Sequence, residues 1–406
     1  MTAKEILNKA VKELVELGGS DIHFVPNQQV GIRVRGKLLK LPIKTTSDDT
    51  VSIYEILLST RPPTHQQLIR EQFKKFLNCG FSAVWEGNRF RVNASMKVVE
   101  NREGRYIVLR EIKENPPKLN TLGFSQRVLA GINKVIAGIK EGKVGGLFLV
   151  VGATGSGKST TLASIIDKIN EVAPLNIITL EDPIEYVHKP KQSQIVQKEQ
   201  GADFIQFSHG LRSALREDPD VILVGEIRDK ETFKLALESA ETGHLVFSTL
   251  HTNDAVSTIE RLVSMGDSER EIRDKIAKSL RGIIAQKLLE AKDGKKRVLV
   301  YEFLYPTIGI RNLIKEGKDM QVYAELENSP YGQTFEETLA ELVAKGELPP
   351  ERAYSVSLRE QNLLAKFKKY GIEFDPKQVE VEVDSTASHS QTEVISESGE
   401  IDTLTL

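Results

Sequence analysis

The stretch 147–170 constrains this chain more than any other. Five apolar residues, Leu147-Phe148-Leu149-Val150-Val151, run straight into Gly152-Ala153-Thr154-Gly155-Ser156-Gly157-Lys158-Ser159, and a segment of helical character follows at 160–170. The octapeptide fits G-x-x-x-x-G-K-[ST] in full, in the strand-before, helix-after context that such a loop requires. Glycines let backbone N–H groups close around a phosphate, and a helix N-terminus adds positive potential. Lys158 would reach the outer phosphate oxygens, and the Ser159 hydroxyl would ligate Mg²⁺. Gly152, Thr154, Gly155, Ser156, Gly157, Lys158, Ser159 and Thr160 form the expected nucleotide-binding set.

Three further runs, 177–180, 221–224 and 245–248, are almost wholly apolar and alternate with helical segments. That pattern predicts an α/β domain whose parallel sheet is covered on both faces. Ligands of such sheets lie outside the carboxyl ends of the strands, so the residues that follow each run matter most. Gly225-Glu226-Ile227-Arg228-Asp229 follows the run 221–224, with Gly225 where an Asp usually ends the second strand of a nucleotide site. Glu226 should face the γ-phosphate, either polarising the attacking water or holding Mg²⁺ through water. Glu181-Asp182-Pro183-Ile184-Glu185 gathers three carboxylates in five residues. Such crowding requires a cation or separation into solvent. His251 ends the fourth run beside the expected nucleotide and reads as a γ-phosphate contact; His244, at its start, reads equally well as structural.

The rest of the chain divides around this core. Thr2 and Glu5 make a capping-box pattern, and Ala3, Leu7, Ala10, Leu14 and Leu17 repeat at helical spacing until Gly18-Gly19. Strand-like segments at 21–25, 30–34, 81–85, 88–95 and 104–110, with a helical stretch near 65–77, predict a smaller α+β domain over 1–115. Glu114-Asn115-Pro116-Pro117 breaks regular structure. The α/β domain then extends over 118–372, with a hairpin at 283–304 turning at Asp293-Gly294 and a helical part at about 305–372.

Charge and cysteine content exclude several classes. The net charge of −2 divides into −7 on the final segment, where residues 378–406 hold seven acids and no Lys or Arg, and +5 on the body. The segment 377–406, with no aromatic residue, is expected to be an acidic disordered tail. A body this close to neutral, without a basic–aromatic stripe, argues against a nucleic-acid partner. The single Cys79 rules out an internal disulfide and a multi-thiolate zinc site. No apolar run reaches the ~18–20 residues of a membrane span, and the N-terminal segment, with acids at regular intervals, is not expected to be a signal peptide.

Taken together, the four site segments are similar to the Walker A, Asp box, Walker B and His box of the secretion ATPase superfamily. The likeness continues through Ser20-Asp21-Ile22-His23, Arg89-Phe90-Arg91-Val92-Asn93-Ala94, the stretch 211–220 and Ala240-Glu241-Thr242-Gly243-His244, covering roughly residues 1–365. Within the superfamily the chain looks most like the type IV pilus retraction ATPases of twitching motility. It has no four-cysteine insert, and Gly309-Ile310-Arg311-Asn312-Leu313-Ile314-Lys315-Glu316 resembles their A-I-R-N-L-I-R-E motif, with Gly309 for Ala and Lys315 for Arg. The resemblance implies a PAS-like N-terminal domain followed by a RecA-like ATPase domain, assembled as a homo-hexamer that binds ATP and Mg²⁺ between domains and subunits. It makes Lys158, Glu226, Glu185 and His251 catalytic, with Ser159 and Glu226 toward the metal. Arg91 and Arg110 become candidates for compensating γ-phosphate charge. It further implies an inner-membrane pilus platform protein as partner, and a cytoplasmic location at the inner face of the membrane. A pilus-extension or secretion-assembly ATPase, an accessory nucleotide-binding paralogue of the motor, and a RecA-like nucleic-acid translocase are the competing readings.

Overall fold

The first helix, Ala3–Leu17, begins as its cap dictates. The Thr2 N–H donates to Glu5 at 2.8 Å, the Glu5 N–H donates to the Thr2 hydroxyl at 3.3 Å, and Gly18 closes the helix with φ of 59°. Its buried stripe of Ile6, Leu7, Ala10, Val11 and Leu14 joins the core of an antiparallel sheet. Across that sheet the strands run Lys37–Lys44, Gln29–Val34, Asp21–Phe24, Arg102–Glu114, Asn88–Val99 and Asn78–Trp85. Helices Ser47–Leu58 and Pro63–Phe76 complete this smaller α+β domain. The structure is a computed structural model that describes residues 1–34, 37–140 and 145–376, and the backbone of 392–395 and 401–404.

Two of these elements escaped the sequence reading. The strand Lys37–Lys44 lies at the sheet edge, where Pro42 costs no ladder bond and Leu38 and Leu39 stay exposed, so it lacks a strand's usual alternation. The helix Ser47–Leu58 carries a capping box between Thr46 and Asp49.

The second sheet runs in the order Gln194–Glu199, Asn176–Glu181, Val221–Val224, Leu245–Leu250, Gly146–Val151, Leu280–Glu290 and Arg297–Leu304. All neighbours are parallel except the last pair, the expected hairpin. The continuous apolar runs have a direct cause. Leu147, Leu149 and Val151 face one core cluster, while Phe148 and Val150 face the other. Gln194–Glu199 went unread because, at the sheet edge, only Glu199 is buried, and its Gln and Lys residues mask the pattern. Five helices, Ile308–Glu316, Asp319–Asn328, Phe335–Ala344, Pro350–Val356 and Glu360–Lys369, form the expected helical part. Thr392–Ile395 and Ile401–Leu404 pair antiparallel as a separate two-stranded sheet. The remainder of the 377–406 tail, where disorder is expected, lies outside the described residues.

Candidate active site

The parallel register brings four carboxyl ends together. Val224 pairs with Leu180 and with Ser248, and Leu250 pairs with Val151. The segments leaving these strands therefore open into one cleft of ≈ 590 Å³. Its lining includes Lys158, Ser159, Thr160, Glu185, Glu226 and His251, with Arg91 and Arg110 contributed by the N-terminal sheet. Thr154, Gly155 and Gly157 line it too. Gly152 and Ser156 stand behind the wall.

Each part of the glycine loop has a local reason. Gly155 and Gly157 adopt φ of 80° and 90°, values that L-residues with a Cβ rarely tolerate. Gly157 is the N-cap of helix Lys158–Val172, and no side chain caps that helix, so its first N–H groups are left to a ligand. The Ser156 hydroxyl is buried with no hydrogen-bond partner among the described residues. Lys158 is buried too, its Nζ donating to the carbonyls of Gly152 at 2.8 Å and Ala153 at 3.1 Å. Burial lowers its pKa, and the carboxylates of Glu226 and Glu185 oppose that shift. An uncapped helix end, left-handed glycines, an orphan hydroxyl and a buried cation fit a bound polyphosphate. Among the described residues, no group of three or more His, Cys, Asp or Glu could hold a metal ion by itself.

Glu226 is held from two sides. Its Oε1 lies 3.2 Å from His251 Nε2, and its Oε2 accepts from Arg228 Nε at 2.9 Å. Arg228 also approaches Asp182 at 3.8 Å. The sequence reading passed over Arg228; its only signal was a place two residues beyond Glu226, at the mouth of the cleft. The three crowded acids separate as the electrostatics require. Glu181 accepts from Thr179 at 2.6 Å and Gln197 at 3.1 Å, and burial pushes its pKa up to about 7. Asp182 turns to Arg228, and Glu185 is exposed along the cleft, with no ion pair among the described residues.

The two arginines of the N-terminal sheet differ. They face each other across one ladder, Arg91 opposite Arg110. Arg110 is also in register with Asp21 on the next strand, and its Nε donates to Asp21 Oδ1 at 2.7 Å. Burial would raise the Asp21 pKa, but the Ser20 hydroxyl and Arg110 bring it below the ordinary value. Arg110 thus carries a structural ion pair as well as lining the cleft. Arg91 has no ion-pair partner among the described residues, so of these two arginines it is the one free to meet a ligand.

The N-terminal sheet reaches the site through backbone as well. Lys113–Glu114, at the end of strand Arg102–Glu114, pair in parallel with Tyr186–Val187, immediately after Glu185. The Tyr186 hydroxyl lies 3.0 Å from Thr160 Oγ1, a contact that no sequence spacing announces. His244 stays outside the site. Its Nδ1 lies 3.0 Å from the Ser239 carbonyl, at the C-terminal turn of helix Lys230–Glu241, a contact that fits the structural reading. The 309–316 motif forms helix Ile308–Glu316, capped by Thr307 and outside the cleft lining.

Residues 2–355 match the model of the type II/IV secretion system protein family. The chain belongs to that family. It is a P-loop ATPase and a homologue of pilus retraction motors. A twitching motility protein of Neisseria gonorrhoeae is 49% identical over 79% of this chain and 82% of its own length. The type IV pilus retractation ATPase PilT of Pseudomonas aeruginosa is 39% identical over 87% of this chain and 97% of its own. A crystal structure of the pilus retraction motor PilT with bound ADP aligns with a TM-score of 0.77 at 38% identity, covering 90% of this chain and 99% of that one.

Proposed function

We propose that this ATPase is a hexameric motor that powers type IV pilus retraction and twitching motility. The observation that carries the reading is the cleft itself, where the glycine loop, the Glu226–His251 pair and Arg91, which has no ion pair among the described residues, line one space. In this reading the loop's N–H groups and Lys158 hold the phosphates of ATP. Ser159 and Glu226 would hold Mg²⁺, which when bound neutralises charge between the outer phosphates. Glu226 accepts a hydrogen bond, then a proton, from the attacking water, while His251 on Oε1 and Arg228 on Oε2 fix the carboxylate. Glu185, which lines the same cleft, would help orient the attacking water. Arg91 offsets the charge that develops on the γ-phosphate, a role worth ~10³–10⁵ in rate when complete.

Hydrolysis of ATP to ADP and phosphate would drive motion of the N-terminal domain against the ATPase domain, and in a ring each closure presses on the neighbouring subunit. The ring would turn an inner-membrane platform protein, so that pilin subunits leave the pilus base. No helix among the described residues is long and apolar enough to cross a membrane. Attachment to the cytoplasmic face would run through that partner.

The purified chain is expected to hydrolyse ATP, and Lys158→Ala to abolish turnover, in a phosphate-release assay. A strain lacking the gene should carry excess, non-retracting pili. Hydrolysis by the chain together with normal retraction in that strain would point to the accessory reading, and full activity in Lys158→Ala would place the site elsewhere.

A further inference from the structure

Gln286 occupies the point where a sheet ladder ends and the glycine loop begins. Ala285 pairs with Val151, so the next residues on the two strands are Gln286 and Gly152. Gln286 is 1% exposed and ends a buried run that is otherwise apolar. A buried amide must find partners for both ends. Here Oε1 accepts from Thr161 Oγ1 at 2.9 Å, and Nε2 donates to the Ser156 carbonyl at 2.7 Å. The main-chain oxygen of Gln286 abuts Gly152, where a Cβ would stand 2.3 Å from it. One side chain and its own carbonyl thus meet the loop at its first glycine and its fifth residue, and the helix behind it at Thr161.

The bond to Ser156 has a geometric consequence. Because a trans peptide is planar, its C=O and the following N–H point in opposite directions. Drawing the Ser156 carbonyl back toward Gln286 turns the Gly157 N–H the other way, into the cleft. We propose that Gln286 is a positioning residue for the nucleotide: it holds the Ser156–Gly157 peptide so that the Gly157 N–H faces the phosphates. Gln286 does not line the cleft, and it acts only through the loop. Thr161 orients the amide, so that the NH₂ end and not the oxygen meets the Ser156 carbonyl.

The proposal rests on the glycine loop being the nucleotide site, and the experiment separates the two. The full chain, Lys158→Ala, Gln286→Leu, Gln286→Glu, Thr161→Val and Thr161→Val/Gln286→Leu are titrated with ADP by calorimetry. Steady-state ATP hydrolysis and melting without nucleotide are measured in parallel. Gln286→Leu removes both bonds. Gln286→Glu keeps the acceptor for Thr161 but sets a carboxylate oxygen against the Ser156 carbonyl. Both should weaken ADP about tenfold or more, the scale of a lost hydrogen bond plus an unpaired buried carbonyl. KM for ATP should rise in parallel while kcat at saturation changes by less than about threefold, the mark of uniform binding. Thr161→Val should cost less, and the double variant should bind no more weakly than Gln286→Leu. A fall in melting temperature with unchanged ADP affinity would make Gln286 merely structural and overturn the proposal, as would additive losses in the double variant. If Gln286→Leu fails to fold, wild-type affinity in Gln286→Glu overturns it equally. Failure of the unmodified chain to bind ADP would instead overturn the site.

Discussion

At the scale of single residues, burial decides which carboxylates carry charge. Glu302 is 1% exposed, accepts from the Ala255 N–H at 2.9 Å, and comes no nearer than 3.8 Å to Arg359. Burial pushes its pKa from 4.5 up to about 7. Between those values the folded chain holds a proton that the unfolded chain releases, so stability declines as pH rises through that window and levels off above it. Glu302→Gln keeps the acceptor and removes the titration. It should raise urea-unfolding stability at pH 8 by about 1–3 kcal/mol relative to the unaltered chain, with the gain gone near pH 4.5. An equal shift at both pH values would refute this. Glu337 has the opposite sign. Burial alone would raise its pKa, but Lys369, Lys366 and Tyr370 hold it at about 2, so its contribution is present above 4.5 and lost as pH falls toward 2. Neither environment could be read from the chain, because the partners of Glu302, Ala255 and Arg359, and of Glu337, Lys366, Lys369 and Tyr370, are all distant in sequence.

At the scale of elements, helix Ile308–Glu316 shows how a motif can be recognised while its physical role stays hidden. Arg311 is half-buried, and its guanidinium donates to the carbonyls of Ala277, Lys278 and Leu280. Those carbonyls close helix Glu269–Ser279 and open strand Leu280–Glu290, so Arg311 satisfies a helix end from outside. Gly309 is the second residue of its helix, where a Cβ would come 2.5 Å from Glu325 Oε1. Placing Ala there requires the Glu325 carboxylate to swing aside. Arg311→Ala should lower the melting temperature by a few degrees, on the scale of ~1–3 kcal/mol for lost charge-assisted bonds. ADP affinity, read by calorimetry, should stay within about threefold, with retraction impaired in a complemented strain. Unchanged stability would show that the three carbonyls do not depend on Arg311. The elements legible from sequence were those with strong periodicity; the edge strands Lys37–Lys44 and Gln194–Glu199 were not, and neither was helix Ser47–Leu58 despite its capping box.

At the scale of the whole molecule, the N-terminal domain is joined to the ATPase domain at the edge of the active site. The pairing of Lys113–Glu114 with Tyr186–Val187 is reinforced by ion pairs from Lys189 to Glu114 at 3.2 Å and Arg89 to Glu199 at 3.8 Å. Movement of one domain therefore pulls on the segment that carries Glu185. The same arrangement presents Arg91 to the cleft. Arg91→Ala should reduce kcat by about tenfold to a hundredfold, short of the ~10³–10⁵ of a complete arginine contact, while leaving ADP affinity within about threefold. Equal kcat for Arg91→Ala and the unaltered chain would remove Arg91 from the reaction.

The sequence by itself determined the glycine loop, the doubly covered sheet and the presence of acids and a histidine beyond the strand ends. These are local properties: a left-handed φ demands glycine, and a strand buried on both faces must be apolar throughout. Tertiary structure alone decided which groups meet. It gave Arg110 to Asp21, left Arg91 without an ion-pair partner among the described residues, and set Gln286 behind Ser156, 130 residues apart in the chain. Those outcomes depend on strand register and order, and a difference of one residue in register would exchange every partner.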